Sequence, residues 1–246
     1  MRGLGTLINV AFIIIGSSIG LIAKKGLSER IKNTVICAVG LSTCFIGIGG
    51  VLSKMLYLNS DGSFSTKDTM FMVISLVIGA FFGELLNIEK YLENFGEFCK
   101  RKIKVKNGAE TFVDGFVSAS LLYCVGAMAI MGSLEDGLNG NISTLFAKSI
   151  LDGTMSVFLA ASFGIGVVLS VLPVFVYQGA ITLLSGFISP YLSETLINQM
   201  TLVGSVLIFA IGLNMLAVTK LKIKTGNLLP AIFVPIVYHL ILKLFS

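Results

Sequence analysis

The chain has 246 residues, 55% of them hydrophobic and only 13% charged, with a net charge of +5; a soluble domain carries about a quarter charged residues, so an ordinary soluble fold is excluded and a polytopic membrane protein fits. The positive balance suits loops facing anionic lipid, not nucleic-acid binding. The four cysteines, Cys37, Cys44, Cys99 and Cys124, include no CxxC pair, and three of them lie in apolar stretches, which reads as packing thiols rather than a metal or redox centre.

Residues 4–23 form the first expected span, uncharged and long enough for the hydrocarbon core at about 1.5 Å per residue. Only Arg2 precedes it, whereas Lys24, Lys25, Arg30 and Lys32 follow. That order is the reverse of a signal peptide and places the N-terminus outside and the first loop inside. Residues 34–52 are the second span, 53–69 a polar outer loop with Asn59, Asp61 and Gly62, and 70–86 the third span with Glu84 near its inner end. Residues 87–106 are amphipathic: Ile88, Leu92, Phe95 and Cys99 recur at helical spacing, and Glu89, Lys90, Glu93, Glu97, Lys100 and Arg101 take the other face. This stretch, extended by Lys102, Lys104 and Lys106, is expected to lie on the inner membrane surface.

The fourth span is expected at 112–131, with Asp114 in its first turn, followed by an outer loop at 132–145 rich in Gly, Asn and acid. Residues 149–188 then run with Asp152 as their one ionisable group, about 60 Å of helix and hence two crossings. Pro173 is the natural break, which gives spans at 149–170 and 173–188, the latter interrupted by Gly179 and Gly186. Spans at 200–218 and 227–244 complete the set, separated by Lys220, Lys222 and Lys224. With eight spans and both termini outside, 13 of the 18 Lys and Arg residues fall on inner loops, as the positive-inside rule requires. The expected fold is therefore an all-α transmembrane bundle forming one domain over 1–246.

Residues 27–49 (LSERIKNTVICAVGLSTCFIGIG) and 192–214 (LSETLINQMTLVGSVLIFAIGLN) echo each other at an offset of 165, with six identities that include Gly47/Gly212. On the eight-span layout the two cross in opposite directions, so an inverted repeat of spans one to three with six to eight is expected, an architecture of many transporters.

Several stretches together, GTLINV at 5–10, GSSIG at 16–20, YCVGAMAIMGSLEDGL at 123–138, KSILDG at 148–153, IGLNML at 211–216 and GNLLPA at 226–231, resemble the YqgA/YdfK-like family of bacterial membrane proteins, a domain of unknown function. The resemblance implies a multi-pass bacterial inner-membrane protein and no particular reaction.

Polar groups inside spans are the candidate functional residues, because burying them in lipid is costly. Glu84 and Asp114 lie toward the inner side, where headgroup-depth solvation is the plain alternative. Asp152 stands four residues after Lys148, so the alternatives are an interfacial ion pair or an outer mouth shared with Glu135 and Asp136. Asn9, Gln178, Asn214 and Asn227 can join helices or bind a ligand. Asn214 is favoured for its neighbour Gly212, and Gln178 for Gly179 and a broken helix. A site uniting Asp114, Gln178 and Asn214 is the sharpest expectation. The pairs Gly16/Gly20 and Gly79/Gly83 read as close helix packing, within one chain or across a homodimer. His239 is the lone histidine and no HExxH, P-loop or GxSxG string occurs, so neither an enzyme nor a cofactor or metal site is expected. The leading reading is a transporter for a small solute or ion in the lipid bilayer, with a channel or a non-transporting membrane partner as alternatives.

Overall fold

The computed structural model describes residues 2–24, 26, 28–103, 111–216 and 222–245; Lys25, Lys104, Lys106 and Lys220, counted above as inner-loop cations, lie outside them, as does Leu27 of the echo. The fold is an all-α polytopic bundle. Its helices in order are α1 (Leu4–Lys24), α2 (Glu29–Met55), α3 (Thr69–Leu86), α4 (Ile88–Ile103), α5 (Phe112–Cys124), α6 (Ala127–Asn139), α7 (Ser143–Phe163), α8 (Val171–Leu183), α9 (Ser185–Ile188), α10 (Glu194–Leu216) and α11 (Val234–Phe245). Among the described residues six helices are long and apolar enough to cross a membrane, and the bent pair α5 and α6 makes up to seven; a shorter apolar stretch, Thr225–Ile241, stands where the eighth span was expected.

Three expectations are corrected. The outer loop at 132–145 is largely helix, since α6 runs through Asn139; its Gly and Asn content suggested a loop, but packing overrides so weak a propensity. The break in the long apolar run falls at Gly164, not Pro173. Gly164 has φ +89, open to glycine at little cost, and the carbonyls left free at the end of α7 accept from the Lys24 ammonium (Ser162 O, 3.2 Å) and the Thr111 hydroxyl (Phe163 O, 2.8 Å). A 3-10 turn over Ile165–Ser170 leads into α8, so Pro173 sits in the first turn of the α-helix, where its missing N–H has no partner to lose. The sixth apolar segment is therefore Ile165–Leu183, and Gly179 lies inside α8 without interrupting it. The sharp bend lies instead between α5 and α6, which meet at 59° at Gly126, whose φ of +127 again suits glycine. The stretch expected as a polar outer loop at 53–69 holds a hairpin of β1 (Leu56–Leu58) and β2 (Phe64–Thr66). Asn59 donates to Ser63 and Ser65, and hydrogen bonds from the Ser63 hydroxyl and N–H hold the Asp61 carboxyl below its ordinary value.

The chain divides into two compact units, residues 1–39 with 91–191, and 40–90 with 192–246. In the first, α1 and α7 lie side by side and parallel: Gly5 meets Leu145, Gly16 meets Gly153, and Gly20 meets Val157 and Ala160. In the second, α3 buries only Ser75, Gly79 and Gly83, and its two glycines lie against Ala231 and Asn227, an antiparallel register. The small-residue pairs that suggested a homodimer are thus occupied by helices of the same chain. The wide apolar remainder of α3, including Val77, Phe81 and Leu85, is exposed, as a lipid-facing surface requires.

The echoed stretches also meet in the second unit, where α2 and α10 cross antiparallel. Gly47 packs on Phe209 and Gly212 on Cys44; Gly40 packs on Met215 and Leu216, and Gly50 on Ser205. Shifting each position by 165 exchanges the contact 47–209 with 44–212, and 40–215 with 50–205. Cys44 and Phe209, themselves 165 apart, share the point of closest symmetry through the thiol and the Phe209 carbonyl.

Candidate functional site

Three of the six candidate residues converge in the first unit. The Asn9 amide donates to Asp152 Oδ2 at 3.0 Å and to Gln178 Oε1 at 3.3 Å, and the Lys148 ammonium lies 2.9 Å from Asp152 Oδ1 and 2.8 Å from Oδ2. Asn9 and Gln178 are fully buried, and Lys148 and Asp152 are each 6% exposed. This is the expected i, i+4 ion pair, and it is buried between helices of the chain. Because α7 begins at Ser143, Asp152 stands about 14 Å along the helix. Next along α7 comes Ser156, whose hydroxyl pairs with the buried Tyr123 hydroxyl at 2.7 Å.

Chemistry dictates how the two amides point. A carboxylate accepts only, so Asn9 must turn its NH2 toward Asp152. The same NH2 then meets Gln178 through its oxygen, which turns the Gln178 NH2 away. Asn9 Oδ1 and Gln178 Nε2 are left buried without a protein partner. Such groups cost free energy unless something else pairs with them.

Around them, Thr6 Oγ1, Ser133 Oγ and Thr182 Oγ1 are also buried and unpartnered. Thr6 lies one turn from Asn9, Thr182 one turn from Gln178, and Ser133 one turn from Asp136. Asp136, fully buried, accepts from the backbone N–H of Gly3 (3.1 Å) and Gly5 (2.9 Å) at the start of α1. The acid pictured with Asp152 at an outer mouth thus serves as the cap of α1, where the helix dipole favours a negative charge. Glu135 accepts from the Thr144 hydroxyl at 2.8 Å.

The other candidates lie elsewhere. Asp114 is half-buried in the first turn of α5, beside Gly115, which packs on Phe163. Phe163 is about 16 Å along α7 from Asp152, so Asp114 does not join Gln178. Asn214, in the second unit, uses both amide atoms on the backbone of Ile223, at 2.7 and 2.9 Å. Glu84 pairs with Lys224 and accepts from Asn227, whose Oδ1 receives the Glu89 N–H; buried Glu89 in turn accepts from the Gly226 N–H. These residues tie the α3–α4 turn to the apolar segment that begins at Thr225. The His239 ring faces Gln199 Oε1 at 3.0 Å, and Gln199 Nε2 donates to Asp68 at 2.9 Å.

A family model described as "Protein of unknown function (DUF554)" matches residues 4–240. The chain belongs to that family. It is 31% identical over 243 residues to the "Uncharacterized membrane protein YdfK" of Bacillus subtilis (strain 168), covering 98% of each chain. It is 27% identical over 232 residues to the "Uncharacterized protein YqgA" of Escherichia coli (strain K12), covering 93% of each. No solved structure matches it. The resemblance drawn from the GTLINV, KSILDG and GNLLPA stretches is therefore right, and Asn9, Lys148, Asp152 and Asn227 all stand within them. Sequence reasoning passed over Thr6, Ser133 and Thr182 because helical Ser and Thr usually bond their own i−4 carbonyl, and nothing local sets these three apart.

Proposed function

We propose that this membrane protein is a transporter for a small solute or ion, with its binding site in the first unit around Asn9, Asp152 and Gln178. The observation that carries the reading is the pair of orphaned amide atoms, Asn9 Oδ1 and Gln178 Nε2, beside a buried ion pair. A purely structural membrane partner gains nothing from buried amides left half satisfied, whereas a binding site needs them. The pseudo-symmetric crossing of α2 and α10 supports an inverted repeat, and the bent α5–α6 pair supplies a discontinuous span; both are recurrent features of secondary transporters.

The reading is tested without knowing the substrate. In a protein freed of Cys37, Cys44, Cys99 and Cys124, Gln178→Cys is expected to react with small water-borne thiol reagents in membranes. Val174→Cys, one turn away on α8 and fully buried in apolar surroundings, should stay protected. Equal protection of both would leave the site inaccessible to water and remove the transporter reading.

Eight crossings in a bacterial plasma membrane, with both termini outside, form part of the same proposal. The parallel α1 and α7 support counting α5–α6 as one crossing, because α2, α3 and that pair then return the chain to its starting direction. The antiparallel pairings of α2 with α10, and of α3 with the segment after Thr225, fit the same count. On this layout a membrane-impermeant thiol reagent added to whole cells labels Asp61→Cys and leaves Lys102→Cys untouched; labelling of position 102 from outside would overturn the orientation.

A further inference from the structure

We infer that the site in the first unit takes a small uncharged solute bearing hydroxyl or carboxamide groups, and rejects ions. The inference rests on the transport reading and adds the substrate class. Its basis is a seam in which α1, α6 and α8 meet. On α1, Thr6 and Asn9 share a face at i, i+3; on α8, Gln178 and Thr182 share one at i, i+4; on α6, Ser133 and Asp136 do the same. The three faces are brought together by the Asn9–Gln178 bond, by Asp136 on the Gly3 and Gly5 amides, and by Gly137, which lies against the Thr182 carbonyl and Ser185.

Five buried polar atoms in this seam have no partner among the described residues: Thr6 Oγ1, Asn9 Oδ1, Ser133 Oγ, Gln178 Nε2 and Thr182 Oγ1. Elsewhere Ser120, Ser149, Ser162, Thr201 and Ser205 bond the carbonyl four residues back, whereas the buried hydroxyls of Ser17 on α1 and Ser75 on α3 have no partner either, each as a single atom rather than part of a cluster. Ser133 and Thr182 have such carbonyls within reach, at Ala129 and Gln178, and do not use them.

The five atoms form a mixed set: one acceptor, one donor and three groups that can do either. Of the two carboxylates nearby, Asp152 has a counter-cation and Asp136 has two N–H donors. Both Asp152 oxygens face the Lys148 ammonium, and each Asp136 oxygen takes a backbone N–H at the positive end of α1. A cation or anion entering the seam would shed water and find no uncompensated counter-charge. A hydroxyl or carboxamide both donates and accepts, so it can pair with Asn9 Oδ1 and Gln178 Nε2 together while the three side-chain hydroxyls adapt around it.

The full chain in liposomes tests this with five probes. Glycerol and urea are followed by osmotic swelling in stopped-flow light scattering, and Na+, K+ and Cl− by protein-dependent current on a supported membrane. The expected result is swelling by glycerol or urea faster than in empty liposomes, with no current from the three charged probes. Thr182→Val and Ser133→Ala, which keep size and helix, should each slow that swelling by about three- to tenfold, with unchanged circular dichroism and elution. Swelling that both variants leave at the wild-type rate overturns the inference. Current with Na+, K+ or Cl− and no swelling overturns the substrate class and leaves transport standing. Flux of none of the five also overturns it, and thiol accessibility at position 178 then decides separately whether the transport reading falls with it.

Discussion

Lys148→Met is expected to destabilise the protein by about 3–5 kcal/mol, the cost of leaving a buried carboxylate without its counter-charge. The double variant Lys148→Met with Asp152→Leu should recover much of that loss, because two apolar side chains in the same space need no solvation. The reasoning is geometric. Both Lys148 side-chain contacts go to Asp152, both residues are almost wholly buried, and the one further group on the carboxylate is the neutral Asn9 amide. Reversible unfolding in mild detergent, or the yield of folded protein from membranes, reads the difference. Wild-type stability in the single variant would mean that the carboxylate reaches water, and the buried site would have to be redrawn. In flux measurements the double variant should be folded yet inactive, since the group that turns the Asn9 amide would be gone.

The second large effect is expected at Gly16. A Cβ there would overlap the carbonyl oxygen of Gly153 on α7. The obstructing atom belongs to backbone in mid-helix and cannot swing aside, so Gly16→Leu has to separate α1 from α7. Overpacking costs about 1–3 kcal/mol where side chains can adjust and more where they cannot; here folded protein should be nearly absent from membranes. Gly179→Ala is the control. It lies in the interior of α8 with open space around its missing side chain, and the substitution should be neutral or stabilising by up to about 1 kcal/mol. Equal tolerance at 16 and 179 would contradict the close approach of α1 and α7.

The two glycines also show where local reading stops. In the sequence Gly179 looked like an interruption and Gly16 like packing, yet the signal at each was the same small residue in an apolar helix. Only the neighbour differs: a helix backbone at Gly16 and nothing within reach at Gly179. The same limit moved a span boundary. Pro173 is a strong helix breaker in isolation, but a proline in the first turn of a helix breaks nothing, and whether it stands there depends on where the previous helix ends. That end is set at Gly164 by contacts from Lys24 and Thr111, which are remote in sequence.

What the sequence by itself determined is the set of apolar helices, the amphipathic α4, the family and the polar residues worth suspecting. These follow from hydrophobicity and short-range periodicity, which act along the chain and leave a record in it. The tertiary structure alone decided which suspects meet. Asn9, Asp152 and Gln178 are separated by 143 and 169 positions, and a hydrogen bond between helices leaves no periodic trace. It also decided that Asn214 bonds the Ile223 backbone and that Asp136 caps α1. The physical reason is common to all of these. A buried polar side chain takes its role from the partner that satisfies it, and in a helical bundle that partner comes from another helix, placed by packing rather than by any neighbour in the chain.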